Sequence, residues 1–439
     1  MNLSKTWAQA IYTRFAVCLI SASSLVACSP AEIIDEEIDQ VLHQEVVAKQ
    51  NYPFLTVYVE DAQGEVLASN EVASKAFFEP AEAPTVNDWM RIWSMTKLVT
   101  TVLTLDLVED GLITLEDEVT KYLPELGDLM VARPLAGGTI PEISAATYEL
   151  GSNQENESDA CDYTLEQPER TMTVRDLILH TADFYYATTN LPCLDEPLAA
   201  LSLPLAGSSE AWLSRLATLP LIQSPSDNYY YGQSTTVLGF LLERASGLSL
   251  QALLEERITK PYQITGLSFL LPEGIALPPR VSGVDGTLRL AREGELDIFG
   301  GEQPPYGSDT TLFLGGEGMV ATAPGFAKFL GIVFFPEERQ VRPLLDPPSI
   351  AAMTSPQINF DTGWGATGYT LWLSNGRRGD DPYGRAGIWT GGGYEGTRYW
   401  IDPELKQIGV IMTQVFMSPA TGLSIDDQIR DILESKISE

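Results

Sequence analysis

The sequence predicts an α+β fold in which helices flank a mixed antiparallel sheet built from both ends of the chain, with a mostly helical domain inserted between them. Three observations carry this expectation. Strand patterns lie near both ends of the 439 residues, helical periodicity dominates the middle, and an unbroken apolar helical run opens at Ser94. The apolar content of 44% against 20% charged residues is that of a globular chain able to bury a large core, not of a disordered one. We divide the chain into 1–27, a signal segment; 28–50, a linker and first helix; 51–125 with 300–439, the sheet domain; and 126–299, the helical domain, with an acidic insertion near 132–170.

Residues 1–27 carry Lys5 and Arg14 and no acid, and the apolar stretch Phe15 to Ala27 has the length of a signal-peptide core rather than a membrane span. It ends in Leu25-Val26-Ala27-Cys28, which resembles the bacterial lipoprotein box. That resemblance implies export and a lipid on Cys28, and Ser29 in place of Asp implies sorting to the outer membrane. Any membrane contact is then through the lipid anchor alone. Cys18 leaves with the signal, so Cys161 and Cys193 remain; in an oxidising compartment they are expected to pair, two free buried thiols being the alternative. No Cys/His cluster has metal-ligand spacing, and neither a metal nor another cofactor is expected.

After the signal, Ile34, Ile38, Val41 and Leu42 recur at helical spacing among acids. Leu55–Val59 reads as a strand, Ala62-Gln63-Gly64 as a turn and Glu65–Ser69 as its hairpin partner. Met95 to Glu109 reads as a helix stopped by Asp110-Gly111. Asp117–Glu125 follows as a short helix or loop closed by Pro124. Between Ala132 and Glu169 the periodicity dissolves into Gly, Pro, Ser, Asn and acids, the composition of a surface insertion. Helices return at Thr173–His180, Glu210–Leu216 and Ser234–Ala245. The last region supplies strand candidates at Gly368–Leu373, Gly396–Asp402 and Gln407–Gln414, then an amphipathic helix from Ser424.

A net charge of −33 argues against nucleic acid and anionic membrane surfaces as partners. The chemistry points instead to Ser94 and Lys97. A serine hydroxyl needs a base, and the chain holds only two histidines, His43 and His180. A lysine three residues on shares the serine's helical face, and burial among Met95, Leu98, Val99 and Val102 would lower its pKa toward that of a usable base. The competing reading is a helix-capping serine beside a lysine that reaches solvent. Tyr231, just before the helix at Ser234, could accept a proton if a nearby ammonium depressed its pKa; Tyr229 and Tyr230 compete with it for that role. No Gly-x-Ser-x-Gly pentapeptide occurs and no histidine follows His180, which excludes an α/β-hydrolase triad.

Arg91-Ile92-Trp93-Ser94-Met95-Thr96-Lys97 resembles the Phe-Arg-Ile-x-Ser-Met-Thr-Lys block of the serine β-lactamase-related superfamily. That superfamily includes class C β-lactamases, D-alanyl-D-alanine carboxypeptidases and family VIII carboxylesterases. Met172–Thr181 resembles its Thr-Ile-Arg-Asp-Leu-Leu-x-His-Thr-Ser-Gly block, with Ala182-Asp183 departing at the end. Tyr231–Gly239 resembles Tyr-Ser-Leu-Ser-Thr-Asp-Val-Leu-Gly, and Gly396–Pro403 the strand ending in Phe-Trp-Val-Asp-Pro. With Lys121–Pro124, these blocks run in order over most of the chain.

The resemblance implies a β-lactamase/transpeptidase-like fold and an acyl-enzyme on Ser94, with Lys97 and Tyr231 sharing the base role. It also implies an oxyanion hole from the backbone of Ser94 and of a late-strand residue, which counting assigns to Tyr394. Two departures bear on substrate. Gln233 stands where β-lactamases carry the Asn of Tyr-x-Asn. The third motif falls either on Trp389-Thr390-Gly391 or, by counting back, on Gly391-Gly392-Gly393; neither supplies the lysine that holds a substrate carboxylate. Aromatics (Trp389, Tyr394, Tyr185, Tyr186) would suit an apolar acyl group. The expectation is a serine hydrolase on a small ester or amide, foremost a carboxylesterase on short acyl esters. A β-lactamase or D-alanyl-D-alanine carboxypeptidase, and a non-catalytic binding lipoprotein of the same fold, are the alternatives. The oligomeric state has no signature in the sequence.

Overall fold

A computed structural model of the chain describes residues 30–134, 163–189, 191–225, 229–297, 306–359, 365–378, 381–421 and 423–437. Two strands come from the N-terminal part, β1 (Phe54–Asp61) and β2 (Val66–Ala73). Six come from the C-terminal part: β3 (Ile358–Asn359), β4 (Ala366–Thr367), β5 (Trp372–Arg378), β6 (Asp381–Gly392), β7 (Arg398–Asp402) and β8 (Gln407–Met412). Among the described residues these eight form one sheet in the order β3-β4-β5-β6-β7-β8-β1-β2, each neighbour antiparallel. The ends of the chain meet where β1 pairs with β8, from Thr56 opposite Met412 to Asp61 opposite Gln407. Both are central strands covered on both faces, and β8 is buried at every position.

The strand period of two sends alternate side chains to opposite faces. Leu55, Val57 and Val59 meet Ile38, Leu42 and Val46 of the N-terminal segment and Ile425, Ile429 and Leu433 near the C-terminus. Helices α1 (Pro30–His43) and α6 (Ile425–Ile437) therefore cover one face. Pro30 at the start of α1 costs no helical hydrogen bond there. The other face, with Ile408, Val410 and Met412, packs on α2 (Thr96–Glu109) and α5 (Ala323–Phe334). Helix α2 is buried almost all round, as a helix apolar on every side must be. Its threonines find partners inside: the Thr100 hydroxyl donates to the Gly315 carbonyl at 2.6 Å and that of Thr104 to the Thr100 carbonyl at 2.8 Å. Beyond α2 lie α3 (Val174–Leu179), α4 (Ser234–Ser246) and short helices at Pro192–Ala200 and Ser209–Leu216.

Two expectations are corrected. Of the predicted strand at Gly368–Leu373 only Trp372 and Leu373 are extended, as the start of β5; Gly368–Leu371 is a turn between β4 and β5, with Thr370 at φ +68° and Gly368 pressed so close to the Met353 carbonyl that a Cβ would lie 1.8 Å away. The long strand β6 was not anticipated; Pro382 and its glycines hide the period of two, and pairing with β5 and β7 imposes it. The flanks of the acidic insertion, Val131–Pro134 and Tyr163–Glu166, pair as antiparallel strands. The body of that insertion, Cys161, Cys28 and the signal segment lie outside the described residues. Cys193 is disulfide-bonded.

Gly409 sits opposite the buried Trp400, and a Cβ there would fall 2.0 Å from the indole. Gly409→Ala overpacks a site with no room to yield. It is expected to lower the unfolding free energy by about 1–3 kcal/mol in a denaturant titration, and an unchanged midpoint would refute this account of β7–β8 packing.

Candidate active site

The serine is presented by a strained turn. Arg91 ends an extended segment, Trp93 adopts φ +47°, and a single tight turn over Trp93–Met95 leads into α2. A left-handed conformation at a bulky residue costs on the order of 1–3 kcal/mol and persists only when its surroundings enforce it. Here the buried Trp93 ring is held edge-on to Tyr394, centroids 5.4 Å apart, with the Arg280 guanidinium 5.1 Å above it. Arg280 is in turn paired with the fully buried Glu395. Ser94 is thereby left half-buried at the N-terminus of α2, where the helix dipole favours developing negative charge.

One turn on, Lys97 is 1% exposed. Its Nζ donates to Ser94 Oγ at 3.1 Å, to the Tyr186 hydroxyl at 3.0 Å and to the Gly316 carbonyl at 2.8 Å. Burial lowers its pKa to about 8, with the Glu317 carboxylate opposing the shift. A lysine so placed loses its proton under mild conditions, within reach of the serine hydroxyl.

Tyr231 completes the group from a shelf built by α3. Thr173 and Asp176 cap α3 reciprocally, and Asp176 also accepts two bonds from Arg170, at 2.6 and 2.7 Å. This anchors His180 at φ +57°, where its carbonyl accepts from Tyr230 N and its ring stacks on Tyr231, centroids 4.9 Å apart. Gly232 allows the approach, because a Cβ there would lie 1.9 Å from the Phe184 carbonyl. The Tyr231 hydroxyl hydrogen-bonds Ser94, and Lys97 Nζ sits 4.8 Å from its ring centroid. Burial pushes the Tyr231 phenol above its ordinary value, outweighing the Ser94 bond. The expected depression of its pKa is therefore corrected: burial keeps Tyr231 a neutral phenol beside Ser94 and Lys97. His180, buried and held neutral at a pKa of about 3, is a support for Tyr231.

The late strand arrives where β6 ends. A Cβ on Gly393 would lie 2.5 Å from the Ile92 carbonyl, so only glycine lets the strand end reach the serine turn. Tyr394 then packs between Trp93 and Phe416. The structure thus brings Gly393 to Ile92 and Tyr394 to Trp93, in the turn that carries Ser94, with Gly391 and Gly392 leading up to them along β6. It does not bring Trp389, whose ring packs on Phe334 of α5. Gln233 is 1% exposed at the start of α4, and neither end of its amide has a partner among the described residues. Tyr185 is buried in the main core.

Sequence reasoning named Tyr186 only as a site aromatic and missed Glu317 altogether. Glu317 is 3% exposed in Gly315-Gly316-Glu317-Gly318, a segment wedged between α2 and α4. An acid enclosed by glycines ahead of an apolar run was the available signal. Among the described residues no group of three or more His, Cys, Asp or Glu is placed to hold a metal ion.

A family model described as Beta-lactamase matches residues 42–434. The acyltransferase mokF of Monascus pilosus is 28% identical over 273 residues, covering 61% of this chain and 59% of that protein. The lovastatin esterase of Penicillium rubens is 26% identical over 285 residues, covering 62% of each. The chain thus spans about three fifths of the length of these curated relatives. The solved structure of EstCE1, described as a hydrolase with promiscuous acyltransferase activity, superimposes with a TM-score of 0.68 at 19% identity, covering 92% of this chain and 99% of that one.

Asp183, where the second block departs from its pattern, is fully buried at φ +65° with no hydrogen-bond partner for either carboxylate oxygen among the described residues. Burial, reinforced by Asp176 and opposed by Arg170, raises its pKa to about 8. The folded state therefore holds a proton that the unfolded state releases near pH 4, and stability is lost as pH rises toward 8. Asp183→Asn keeps the shape and the left-handed backbone. It is expected to raise the unfolding free energy on the order of 2 kcal/mol at pH 8 and far less at pH 4; equal effects at both pH values would contradict the assignment.

Proposed function

The chain belongs to the beta-lactamase family, and from that premise we propose that it is a serine hydrolase whose acyl-enzyme forms on Ser94, acting as a carboxylesterase on short, uncharged acyl esters. The observation that carries this reading is the buried Lys97 amine 3.1 Å from a half-buried serine hydroxyl that Tyr231 also contacts. Neutral Lys97 takes the Ser94 proton as Oγ attacks the ester carbonyl, and the backbone around Ser94 and Tyr394 steadies the oxyanion. Tyr231 passes the proton from Lys97 to the departing alcohol. Water, deprotonated by the same base, then releases the acid.

The preference for uncharged substrates rests on what surrounds the serine. The strand end that approaches Ser94 is Gly391-Gly392-Gly393 and brings no cation, while the Arg280 charge beside Trp93 is committed to Glu395. Among the described residues a carboxylate on the substrate would meet no dedicated partner on this strand end, whereas the partly exposed Tyr394, packed on Trp93 and Tyr186, offers apolar surface. This weighs against penicillin hydrolysis and peptide C-terminal cleavage. Relatives described as acyltransferases favour one further reading, in which an alcohol replaces water as acceptor of the same acyl group. Export as a lipoprotein anchored through Cys28 remains part of the proposal; the disulfide at Cys193 suits an oxidising compartment.

The test is hydrolysis of p-nitrophenyl butyrate and of a chromogenic cephalosporin by the purified protein and its Ser94→Ala variant. Ester turnover is expected, lost at least a thousandfold in Ser94→Ala, with kcat/KM rising with pH to half its plateau near 8 as Lys97 loses its proton. Adding a primary alcohol in excess reports transesterification. Cephalosporin turnover matching the ester rate would defeat the uncharged-ester reading, and ester turnover surviving in Ser94→Ala would defeat the nucleophile.

A further inference from the structure

The base reading leaves one buried acid without a task. Glu317 lies in the glycine segment that grips α2 and α4, and its neighbours are arranged around a negative charge. The Thr236 hydroxyl donates to its Oε2 at 2.9 Å, and the Thr236 oxygen itself accepts from Gly316 N at 3.1 Å. The Tyr186 hydroxyl hydrogen-bonds the same carboxylate. That hydroxyl also accepts from Lys97 Nζ at 3.0 Å, so one phenol joins the buried acid to the buried amine. The path runs from Ser94 Oγ through Lys97 Nζ and Tyr186 Oη to Glu317.

We propose that Glu317 is the counter-ion of Lys97, coupled to it through the Tyr186 hydroxyl, and that this buried pair sets the pH at which Ser94 becomes nucleophilic. The inference rests on the acyl-enzyme reading and assigns two positioning residues to it. An ammonium taken out of water without an anion would lose its proton far below neutrality, and the base would then be too weak to drive the serine. Glu317 offsets that loss, while the intervening phenol keeps carboxylate and ammonium from locking into a direct contact that would hold the proton permanently. Burial pushes the Glu317 carboxyl up and the Lys97 charge opposes the rise, the reciprocal of what Glu317 does to Lys97. Among the described residues the other titratable groups facing the pair are His180, Tyr231 and Tyr306; burial holds all three neutral, leaving Glu317 and Lys97 as the charges that set one another.

The sign of the test follows. Glu317→Gln removes the anion that favours the ammonium, so Lys97 becomes neutral at lower pH. Tyr186→Phe removes one acceptor from the ammonium and one donor from the carboxylate, and so acts in the same direction. The readout is the second-order rate at which a fluorophosphonate labels Ser94, located by peptide mass mapping, from pH 5 to 10 in the full chain. We expect the rising limb to move down by one pH unit or more in Glu317→Gln, a tenfold or greater gain in relative rate on the acid side. A smaller shift of the same sign is expected in Tyr186→Phe. If Glu317→Gln does not fold, Tyr186→Phe alone decides. A limb that stays in place, moves up, or is absent from the wild type overturns the counter-ion role, even where Ser94 is labelled. Failure of the wild type to label at Ser94 overturns the acyl-enzyme reading itself, and the inference with it.

Discussion

A lysine taken out of water one turn from a serine is the constraint on which the rest of this structure turns. Desolvation lowers the pKa of Lys97, and it also obliges the surroundings to supply every partner the ammonium needs. The supply comes from separate parts of the chain: Ser94 from the turn that leads into α2, Tyr186 from the loop after α3, and the Gly316 carbonyl from the segment before α5. Helix α2 is consequently the central helix of the fold, buried on nearly all sides. It is hydrogen-bonded through Thr100 to the same glycine segment that carries Gly316 and Glu317. Fold and site are one problem in packing here, since the segments that bury α2 also set the charge on its lysine.

Close backbone approach is the second device. Gly232, Gly316 and Gly393 each stand where a Cβ would strike a neighbour within about 2.6 Å, and each brings a different element to the serine: the tyrosine shelf, the glycine segment and the end of β6. Against this permissive backbone stands the strain at Trp93, fixed by Tyr394 on one side and the Arg280–Glu395 pair on the other. The strained residue directly precedes Ser94, so the aromatic packing that holds it also fixes the backbone from which Ser94 projects.

Much of this could be read from the sequence, and the reasons for the exceptions are physical. The sheet joining both chain ends, the buried helix after Ser94 and the Ser94, Lys97 and Tyr231 group all lie in short contiguous runs whose spacing carries the information. The long strand β6 was missed because glycines and Pro382 break its alternation, while Gly368 placed a strand where the chain turns. By letter alone Trp389 looked like part of the third motif; the approach of Gly393 to Ile92 depends on where β6 ends, which no local pattern encodes. Tyr186 and Glu317 reach Lys97 across 89 and 220 residues of sequence, and Glu317 looks like any loop acid until the packing of α2 against α4 encloses it. The direction of the Tyr231 shift was misjudged for the same reason, because burial outweighs the hydrogen bond with Ser94.

The measurement that bears most directly on the central claim is trapping of the acyl-enzyme. The protein is mixed with p-nitrophenyl butyrate, quenched in acid within milliseconds to seconds, and digested for peptide mass mapping, alongside Lys97→Met. The account predicts one butyryl group on the peptide containing Ser94 in the wild type, with its formation slowed at least a thousandfold in Lys97→Met. Butyrylation confined to another side chain, or equally fast on Ser94 without Lys97, would contradict it.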